Sequence, residues 1–189
     1  MKQARVLNDA ELKRVLAVCA ASRYGQRNRI AVLLSHYAGL RVGEIASLKW
    51  SQLLEADHSV KAGFYLDAAD TKSGEARAVH INQLLQKETR RYWLSLDEFK
   101  CLNQPVILSQ KYKAFSANTL CQLFTRIYDE TGIDGATSHS GRRWFITKLA
   151  NAGVSAKVIM ELAGHKNLST TQRYIEVNEE MKKQAVNLL

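Results

Sequence analysis

Hydrophobic residues recur at intervals of three and four along much of the chain, the spacing that is typical of helices with one buried face. One such stripe occupies residues 12–19. Asn8 precedes it as a predicted N-cap, and Glu11 stands three positions later, as in a capping box. A second stripe occupies residues 30–38, which predicts a second helix of the same kind.

The C-terminal half of the chain repeats this pattern. Residues 120–128 form a third stripe between Ser116, a predicted cap, and Gly132, which is predicted to end the helix. Further helices are predicted over residues 142–151 and 155–163, the second ending at the glycine that follows it. The last eleven residues, EEMKKQAVNLL, are predicted to form a short amphipathic helix.

The middle of the chain has the alternating pattern of strands. An aromatic and aliphatic run begins at residue 63, a turn is predicted at Ser73 and Gly74, and polar and apolar residues alternate over residues 76–81. This predicts a hairpin. The expected fold is therefore a single, mostly α domain with a small antiparallel β-sheet, an α+β arrangement.

The composition favours a domain that binds a polyanion. Of the 189 residues, 46% are hydrophobic, which is enough for one core. The net charge of +9 favours nucleic acid as a partner, although many basic domains are merely soluble. The 27 Lys and Arg residues are spread along the sequence, so the fold itself must assemble any binding surface.

Other classes of protein are disfavoured. The three cysteines have no C-x-x-C spacing, which argues against a disulfide framework or a zinc site and favours a reducing compartment. The sequence shows no apolar signal region and no run of transmembrane length, so no membrane association is expected. We expect a cytoplasmic protein, or a nuclear one if the source has a nucleus.

The stretch AGHKNLSTTQRYIEV, residues 163–177, holds the first candidates for chemistry. His165 and Tyr174 lie nine positions apart around a polar Ser-Thr-Thr segment. Ser169 and Gln172 have capping-box spacing, which predicts a short helix that begins at Ser169 and carries Tyr174 on its second turn. In the simpler interpretation Tyr174 packs against the domain or lies at its surface; in the other, His165 and Tyr174 face one phosphate.

A second pair of candidates lies at the start of a predicted helix. His139 and Arg142 are three residues apart and share one face of it. The free N–H groups of a helix N-terminus suit a phosphate. Cationic side chains there oppose the helix dipole, so an anion is expected to compensate them. The alternative is an exposed basic first turn.

Arg41 lies in a predicted bend between two helices. Gly39 and Gly43 would let the backbone turn tightly and direct Arg41 inward, where Glu44 is its local partner. The simpler interpretation is a structural Arg–Glu pair. Lys72 is predicted near the hairpin tip, where most lysines are only solvated.

Together these segments resemble the tyrosine recombinases, or phage integrases. The resemblance rests on LNDAELKRVL, AGLRVGEIASLKW, TKSGEARAVHI and HSGRRWFITKLANAGVSAKVIMELAGHKNLSTTQRYI, and it extends from about Val6 to the end of the chain. It implies the catalytic-domain fold of that family and chemistry without a metal or any other cofactor. It also implies this catalytic set: Arg41, Lys72, His139, Arg142, His165 and Tyr174.

The resemblance implies a role for each residue at the phosphate. Tyr174 attacks a DNA phosphodiester, which yields a 3′-phosphotyrosine and a free 5′-hydroxyl. Arg41 and Arg142 hold the nonbridging oxygens, and His165 adds a third donor. Forked guanidiniums match the negative charge that gathers on the phosphorus centre in the transition state.

Proton transfer is implied for two further residues. Lys72 protonates the departing 5′ oxygen, and His139 assists proton transfer at Tyr174. Glu44 steadies Arg41 from behind. A free tyrosine phenol has a pKa of about 10, so attack at neutral pH needs a nearby base or a positive field.

The chain departs from the family in two respects. Many relatives read His-x-Leu-Arg-His where this chain has HSGRR, so Gly141 would remove an apolar packing contact and Arg143 replaces a supporting His. Typical members also carry an N-terminal core-binding domain. Residues 1–189 are expected to form a single catalytic domain without one, and residues 178–189 to dock on a neighbouring protomer or on their own core.

The expected function is site-specific recombination of double-stranded DNA, with strand cleavage and rejoining by a bacterial or phage-encoded tetramer that assembles on the DNA. An accessory DNA-bending protein is a further candidate partner. Two alternatives stay open: nicking and closing in the manner of a type IB topoisomerase, and a DNA-binding accessory module without turnover. A metal-dependent nuclease is disfavoured because the carboxylates show no obvious metal-ligand cluster.

Overall fold

The computed structural model describes residues 4–71, 74–96, 100–175, 182–183 and 186–187. Within them the chain forms, in order, α1 (Asp9–Ala21), α2 (Gly25–Tyr37), α3 (Val42–Ser47), α4 (Trp50–Leu53), β1 (Gly63–Leu66), β2 (Arg77–His80), α5 (Gln83–Leu94), α6 (Ala117–Thr131), α7 (Ser140–Asn151), α8 (Ala156–Ala163) and α9 (Leu168–Gln172). This confirms the predicted mostly α fold with a small antiparallel sheet. Apart from four of its positions, the predicted C-terminal helix lies outside the described residues.

The start of α1 follows the predicted capping box. The side chain of Asn8 accepts a hydrogen bond from the backbone N–H of Glu11 at 2.8 Å, and Glu11 Oε2 accepts one from the N–H of Asn8 at 2.9 Å. The two bonds satisfy N–H groups that have no partner inside the helix. Leu12, Val15 and Cys19 form the buried face of α1, and burial raises the pKa of the Cys19 thiol to about 12.

Helix α2 lies at the centre of the domain and packs against α1, α3, α5 and α7. Neighbours on several sides explain why residues 30–36 are all buried, which is a wider buried surface than the predicted single stripe. His36 is among them, and burial lowers its pKa to about 4. Its ring is therefore neutral inside the fold at physiological pH.

The predicted hairpin is present, but its connection is longer than a tight turn. Strands β1 and β2 pair antiparallel, with Phe64 opposite Val79, and both side chains enter the main core. A 3-10 turn, Ala68–Asp70, follows β1, and Gly74 adopts a φ of +68° before β2. Ser73, the other predicted turn residue, lies outside the described residues.

Helices α6 and α8 end as their sequences predict. The Ser116 side chain caps α6, and Ser155 caps α8. Gly132 and Gly164 follow the two helices in the left-handed conformation, with φ of +63° and +62°. That conformation favours glycine because it has no Cβ.

A second, smaller core joins the last helices to the rest of the domain. Ile146 and Ala150 from α7 pack with Ile159 and Ala163 from α8. Tyr174 and its neighbour in sequence, both half-buried, pack against this cluster. None of the helices in the described part of the chain has the length and apolar character that crossing a bilayer requires.

The prediction for α9 was wrong in its register. Asn167, in extended conformation, is the N-cap, so Ser169 lies inside the helix rather than before it. The helix ends at Gln172, and Tyr174 follows it with its N–H bonded to the carbonyl of Thr171, three residues back. This tighter turn closes the helix before a second full turn can form.

Candidate active site

Three guanidinium groups converge on the C-terminal end of α8. Arg77 Nη1 donates to the carbonyl of residue 162 at 2.9 Å, Arg142 Nη2 to that of residue 163, and Arg41 Nη2 to that of residue 164 at 3.1 Å. The last carbonyls of a helix have no partner inside it and carry the negative end of its dipole. The end of α8 therefore provides part of the negative partner that Arg142 was predicted to need.

Glu44 lies beneath these arginines and is 1% exposed. Its Oε1 accepts from Arg41 Nη1 at 2.8 Å, and its Oε2 accepts from Arg77 Nη2 at 2.9 Å and from the backbone N–H of Arg41 at 2.8 Å. Burial opposes ionisation of Glu44, but Arg77, the Arg41 N–H and the guanidiniums of Arg41 and Arg142 outweigh it. The pKa of Glu44 consequently lies below its ordinary value.

The cluster keeps an excess of positive charge. Arg41, Arg77 and Arg142 share the single carboxylate of Glu44, which leaves two positive charges uncompensated within the group. The charged form of Arg142 is destabilised as a result. Burial, followed by the positive charge of Arg41, lowers the pKa of Arg142 to about 9. A phosphate bound here would stabilise the charged guanidiniums.

Arg142 is held by two backbone carbonyls from distant parts of the chain. Besides its bond to the end of α8, its Nη1 donates to the carbonyl of Gly39 at 2.6 Å. Gly39 forms the bend with a φ of +63°, and a Cβ there would lie 2.6 Å from the ring of Phe145. Gly43 does not share this role, contrary to the prediction, because it lies inside α3.

Gly141 lies where α7 and α2 approach each other closely, which the sequence motif did not indicate. A Cβ at this position would overlap Ser35 Oγ and lie 2.7 Å from His36 Nδ1, both on α2. The predicted loss of an apolar contact is thus accompanied by a close approach of two helices, which the sequence did not predict. The lack of a side chain at Gly141 lets α7 approach α2 closely, next to Arg142.

His165 follows the glycine that ends α8, and its backbone N–H donates to the carbonyl of Met160 at 3.0 Å. Its ring Nδ1 lies 2.8 Å from Thr171 Oγ1, and Thr171 is fully buried. Burial, followed by Arg142, Arg41 and Arg77, lowers the pKa of His165 to about 4. The ring is therefore neutral at physiological pH and can act as a hydrogen-bond donor or acceptor.

Tyr174 lies beside His165. The two ring centroids are 6.0 Å apart and the rings are nearly parallel, at 19°. The guanidinium carbon of Arg143 lies 5.6 Å from the Tyr174 centroid. Tyr174 also packs on the small core between α7 and α8, so the simpler interpretation of its stretch of sequence describes part of its surroundings. That His165 and Tyr174 face one phosphate stays a prediction.

The remaining residues of the predicted set are His139 and Lys72. His139 is the N-cap of α7, with an exposed side chain one turn ahead of Arg142, and its backbone N–H donates to Thr137 Oγ1 at 3.2 Å. Lys72 lies outside the described residues, in the connection that leads into β2. The strand that follows this connection begins with Arg77, a member of the arginine cluster.

The structure thus brings together Arg41, Glu44, Arg142, His165 and Tyr174. It adds Arg77 and Thr171, which the sequence did not identify as parts of a site, and it brings Arg143, predicted only to replace a supporting His, next to Tyr174. Among the described residues, no group of three or more His, Cys, Asp or Glu side chains is arranged to hold a metal ion. The arrangement suits an anion that is bound by arginines next to a tyrosine.

Comparison with known proteins identifies the kind of chain that carries this site. A sequence model described as the phage integrase family matches residues 5–181. Tyrosine recombinase XerA of Thermococcus kodakarensis is 35% identical over 177 residues, which are 93% of this chain and 59% of that protein. Transposase A from transposon Tn554 of Staphylococcus aureus is 25% identical over 98% of this chain and 52% of its own. The chain therefore spans less than two thirds of these relatives.

Solved structures confirm the fold. A crystal structure of XerA recombinase superposes with a TM-score of 0.76 and 22% identity over 100% of this chain and 64% of that one. A structure of the Tn1549 transposon integrase in complex with a circular intermediate DNA gives a TM-score of 0.79 and 17% identity over 100% of this chain and 67% of that one. The match places all the described elements in the fold of these recombinases.

Proposed function

The chain belongs to the phage integrase family, and we propose that it cleaves and rejoins double-stranded DNA through a covalent bond between Tyr174 and a 3′ phosphate. One observation carries the proposal. Arg41 and Arg142 meet beside His165 at the end of α8, where their cluster keeps two uncompensated positive charges, and Tyr174 lies on the ring of His165. A DNA phosphate supplies the negative charge that this cluster lacks.

The proposed cleavage step exchanges one phosphoester bond for another. Tyr174 Oη attacks phosphorus and forms a new P–O bond, while the bond from phosphorus to the 5′ oxygen breaks. A guanidinium has five N–H donors, so Arg41 and Arg142 have donors for the nonbridging oxygens beyond their bonds to carbonyls and to Glu44. Rejoining reverses the step, and the phosphotyrosine conserves the bond energy without ATP.

His165 would contribute as a neutral donor. The pKa of about 4 excludes a doubly protonated ring at neutral pH. We assign the single ring proton to Nε2, with Thr171 Oγ1–H donating to Nδ1, because His165 can donate to a phosphate oxygen only if the nitrogen that does not face Thr171 carries the proton. His139 would take the phenolic proton, and Lys72 would deliver a proton to the 5′ oxygen. Burial among arginines thus makes His165 a fixed hydrogen-bonding group rather than an acid.

The proposed assembly is supported by solved structures of similar proteins. One solved relative is a lambda integrase dimer bound to a core site, and another is XerH bound to its difH substrate. We propose that residues 1–189 act as one catalytic domain in a tetramer on DNA, with residues 178–189 docked on a neighbouring protomer. An accessory DNA-bending protein and a cytoplasmic location fit the same function.

Covalent trapping tests the function. Wild type and Tyr174→Phe are incubated in EDTA and low salt with DNA that flanks the protein's own gene, and protein–DNA adducts stable in SDS are counted. We expect an adduct with wild type and none with Tyr174→Phe. Tyr65→Phe, which alters an exposed tyrosine on β1, is the matched control and should form the adduct.

Other outcomes would favour the alternatives. DNA binding without any adduct would favour an accessory module, and an adduct that survives Tyr174→Phe would overturn the assignment of the nucleophile. Strand exchange between two labelled duplexes separates recombination from nicking and closing by a topoisomerase.

A further inference from the structure

Arg143 connects two parts of the chain that are far apart in sequence. Its Nη1 donates to the carbonyl of Ala4 at 2.8 Å, and its guanidinium carbon lies 5.6 Å from the centroid of the Tyr174 ring. Its Nε is buried and has no hydrogen-bond partner among the described residues. Arg143 therefore differs from a solvated surface arginine: one of its N–H groups is bonded to a backbone carbonyl, and its guanidinium lies beside a tyrosine ring.

The segment that Arg143 contacts is firmly attached to the domain. The N–H of Arg5 donates to the carbonyl of Gly135 at 2.9 Å, and its side chain pairs with Glu11 at 2.5 Å. Leu7 is 2% exposed and belongs to the main core. The position of the Ala4 carbonyl is thereby fixed relative to α1 and to the loop before α7.

Tyr174 packs on the small core between α7 and α8 and has two further neighbours beside its ring. It follows the short helix α9, and its ring is flanked by His165 and by Arg143. A guanidinium within about 6 Å of an aromatic ring attracts it. Of these two neighbours, Arg143 is the one bonded to the N-terminal segment. His165 is instead bonded to Thr171 of α9.

We propose that Arg143 is a positioning residue that holds Tyr174 for attack and ties its position to the segment before α1. This proposal rests on the proposed function, since it assigns a role to Arg143 in the step that Tyr174 performs. Any movement of residues 4–8 would reach the nucleophile through the bond between Ala4 and Arg143. The position of the N-terminal segment thereby determines whether Tyr174 is placed for attack.

The first test separates positioning from DNA binding. Adduct formation is measured at saturating DNA whose scissile phosphate carries a 5′-bridging sulfur, because a thiolate leaves without a proton and the rate reports attack by Tyr174. Arg143→Ala should slow this rate about tenfold, the order expected for a cation–aromatic contact, with an unchanged Kd for DNA. Arg143→Lys, which keeps the charge, should recover most of the rate.

Lys157→Ala is the matched control for the loss of one positive charge. Lys157 is exposed on α8 and pairs only loosely with Glu161, at 3.4 Å. It should leave both rate and Kd at wild-type values. A weaker Kd with an unchanged saturating rate for Arg143→Ala would overturn the proposal, because Arg143 would then be a phosphate contact.

The second test concerns the link to the N-terminal segment. Removal of residues 1–4, by proteolytic cleavage of a fusion so that Arg5 is the first residue and no initiator Met precedes it, deletes the carbonyl acceptor of Arg143. Removal of residues 1–3 in the same way retains this acceptor and serves as the control. In the wild-type background, we expect the longer truncation to slow adduct formation and the shorter one to leave it unchanged. In Arg143→Ala, we expect the longer truncation to cause no further slowing. Additive effects of truncation and substitution would contradict the link.

Failure of this proposal is distinct from failure of the proposed function. If wild type forms no adduct, the covalent mechanism itself falls. If wild type forms the adduct and Arg143→Ala matches it in rate and Kd, the function stands and Arg143 has no positioning role.

Discussion

Glu44 and Arg77 form a buried ion pair, with Oε2 and Nη2 at 2.9 Å, although they are 33 residues apart in sequence. The pair connects α3, which begins next to Arg41, to the strand that follows the connection containing Lys72. Arg77 also donates to the end of α8. Arg77 therefore ties the start of β2 both to the helix that follows Arg41 and to the end of α8.

Loss of the Glu44 charge should both destabilise the domain and impair the site. In Glu44→Gln, three guanidiniums remain without a carboxylate, and removal of one partner of a buried pair costs about 3 kcal/mol. We expect urea denaturation to show a loss of this order, and adduct formation to slow at saturating DNA because Arg41 loses its anchor.

Glu88→Gln provides the control for this change. Glu88 accepts two bonds from Arg29, at 2.9 and 2.8 Å, but the pair is partly exposed and lies away from the arginine cluster. Its loss should cost less than about 1 kcal/mol and leave the rate unchanged. Equal losses of stability in the two variants would contradict the special role assigned to Glu44.

The sequence predicted local features well, because their determinants lie within one helical turn. Asn8 and Glu11 are three residues apart, and the glycines that end α6 and α8 act on the turn before them. The hydrogen bonds at these helix ends join residues only a few positions apart, so local sequence patterns indicate them. The same locality explains why the pair of Arg41 and Glu44 was anticipated.

The arginine cluster could not be predicted in this way. Arg41 and its acceptor at residue 164 are 123 positions apart, and Arg77 and its acceptor at residue 162 are 85 apart. No periodicity marks Arg77 as buried, because its burial depends on Glu44 and on the end of α8. Thr171 was overlooked for a different reason: it lies in a polar segment that resembles a surface turn.

Thr171 should control the orientation of His165. Thr171→Val keeps a similar shape but removes the hydroxyl that lies 2.8 Å from Nδ1. Without this bond the ring of His165 is no longer held in the orientation that presents its other nitrogen to the phosphate. Since such a bond contributes about 0.5–1.5 kcal/mol, we expect adduct formation to slow about tenfold. Thr170→Val, at the half-buried neighbouring position, is the control and should retain the wild-type rate. A Thr171→Val variant as fast as wild type would show that His165 needs no orienting partner.

The stability of the domain should fall as the pH falls from about 6.5 to 4. His36 has its pKa lowered from 6.5 to about 4 by burial, so the unfolded chain takes up a proton at higher pH than the folded one. The contribution is therefore fully present above 6.5 and disappears as the pH approaches the folded value, a loss of at most about 3 kcal/mol. Urea denaturation between pH 7 and 4.5 measures it.

A substitution isolates the contribution of His36. His36→Gln should make the dependence of stability on pH less steep, even if the variant is less stable at every pH; the part that remains includes His165, whose pKa is also lowered to about 4. His80→Gln, at an exposed position on β2, is the control and should leave the dependence unchanged. If His36→Gln has the same pH dependence as wild type, other groups cause it.

Gly141 should tolerate no side chain, because α7 and α2 already touch there. In Gly141→Ala the new methyl group meets Ser35 Oγ and His36 Nδ1 on a central, buried helix that cannot move easily, and overpacking of this kind costs about 1–3 kcal/mol. Gly43→Ala is the matched control: it is also helical, its Cβ would lie 3.8 Å from that of Ala117, and it should be neutral or stabilising. Thermal denaturation of both variants measures the difference, and a Gly141→Ala protein as stable as Gly43→Ala would refute the close approach of α7 and α2. The same variant should also displace Arg142, one residue away, so its adduct formation should fall together with its melting temperature.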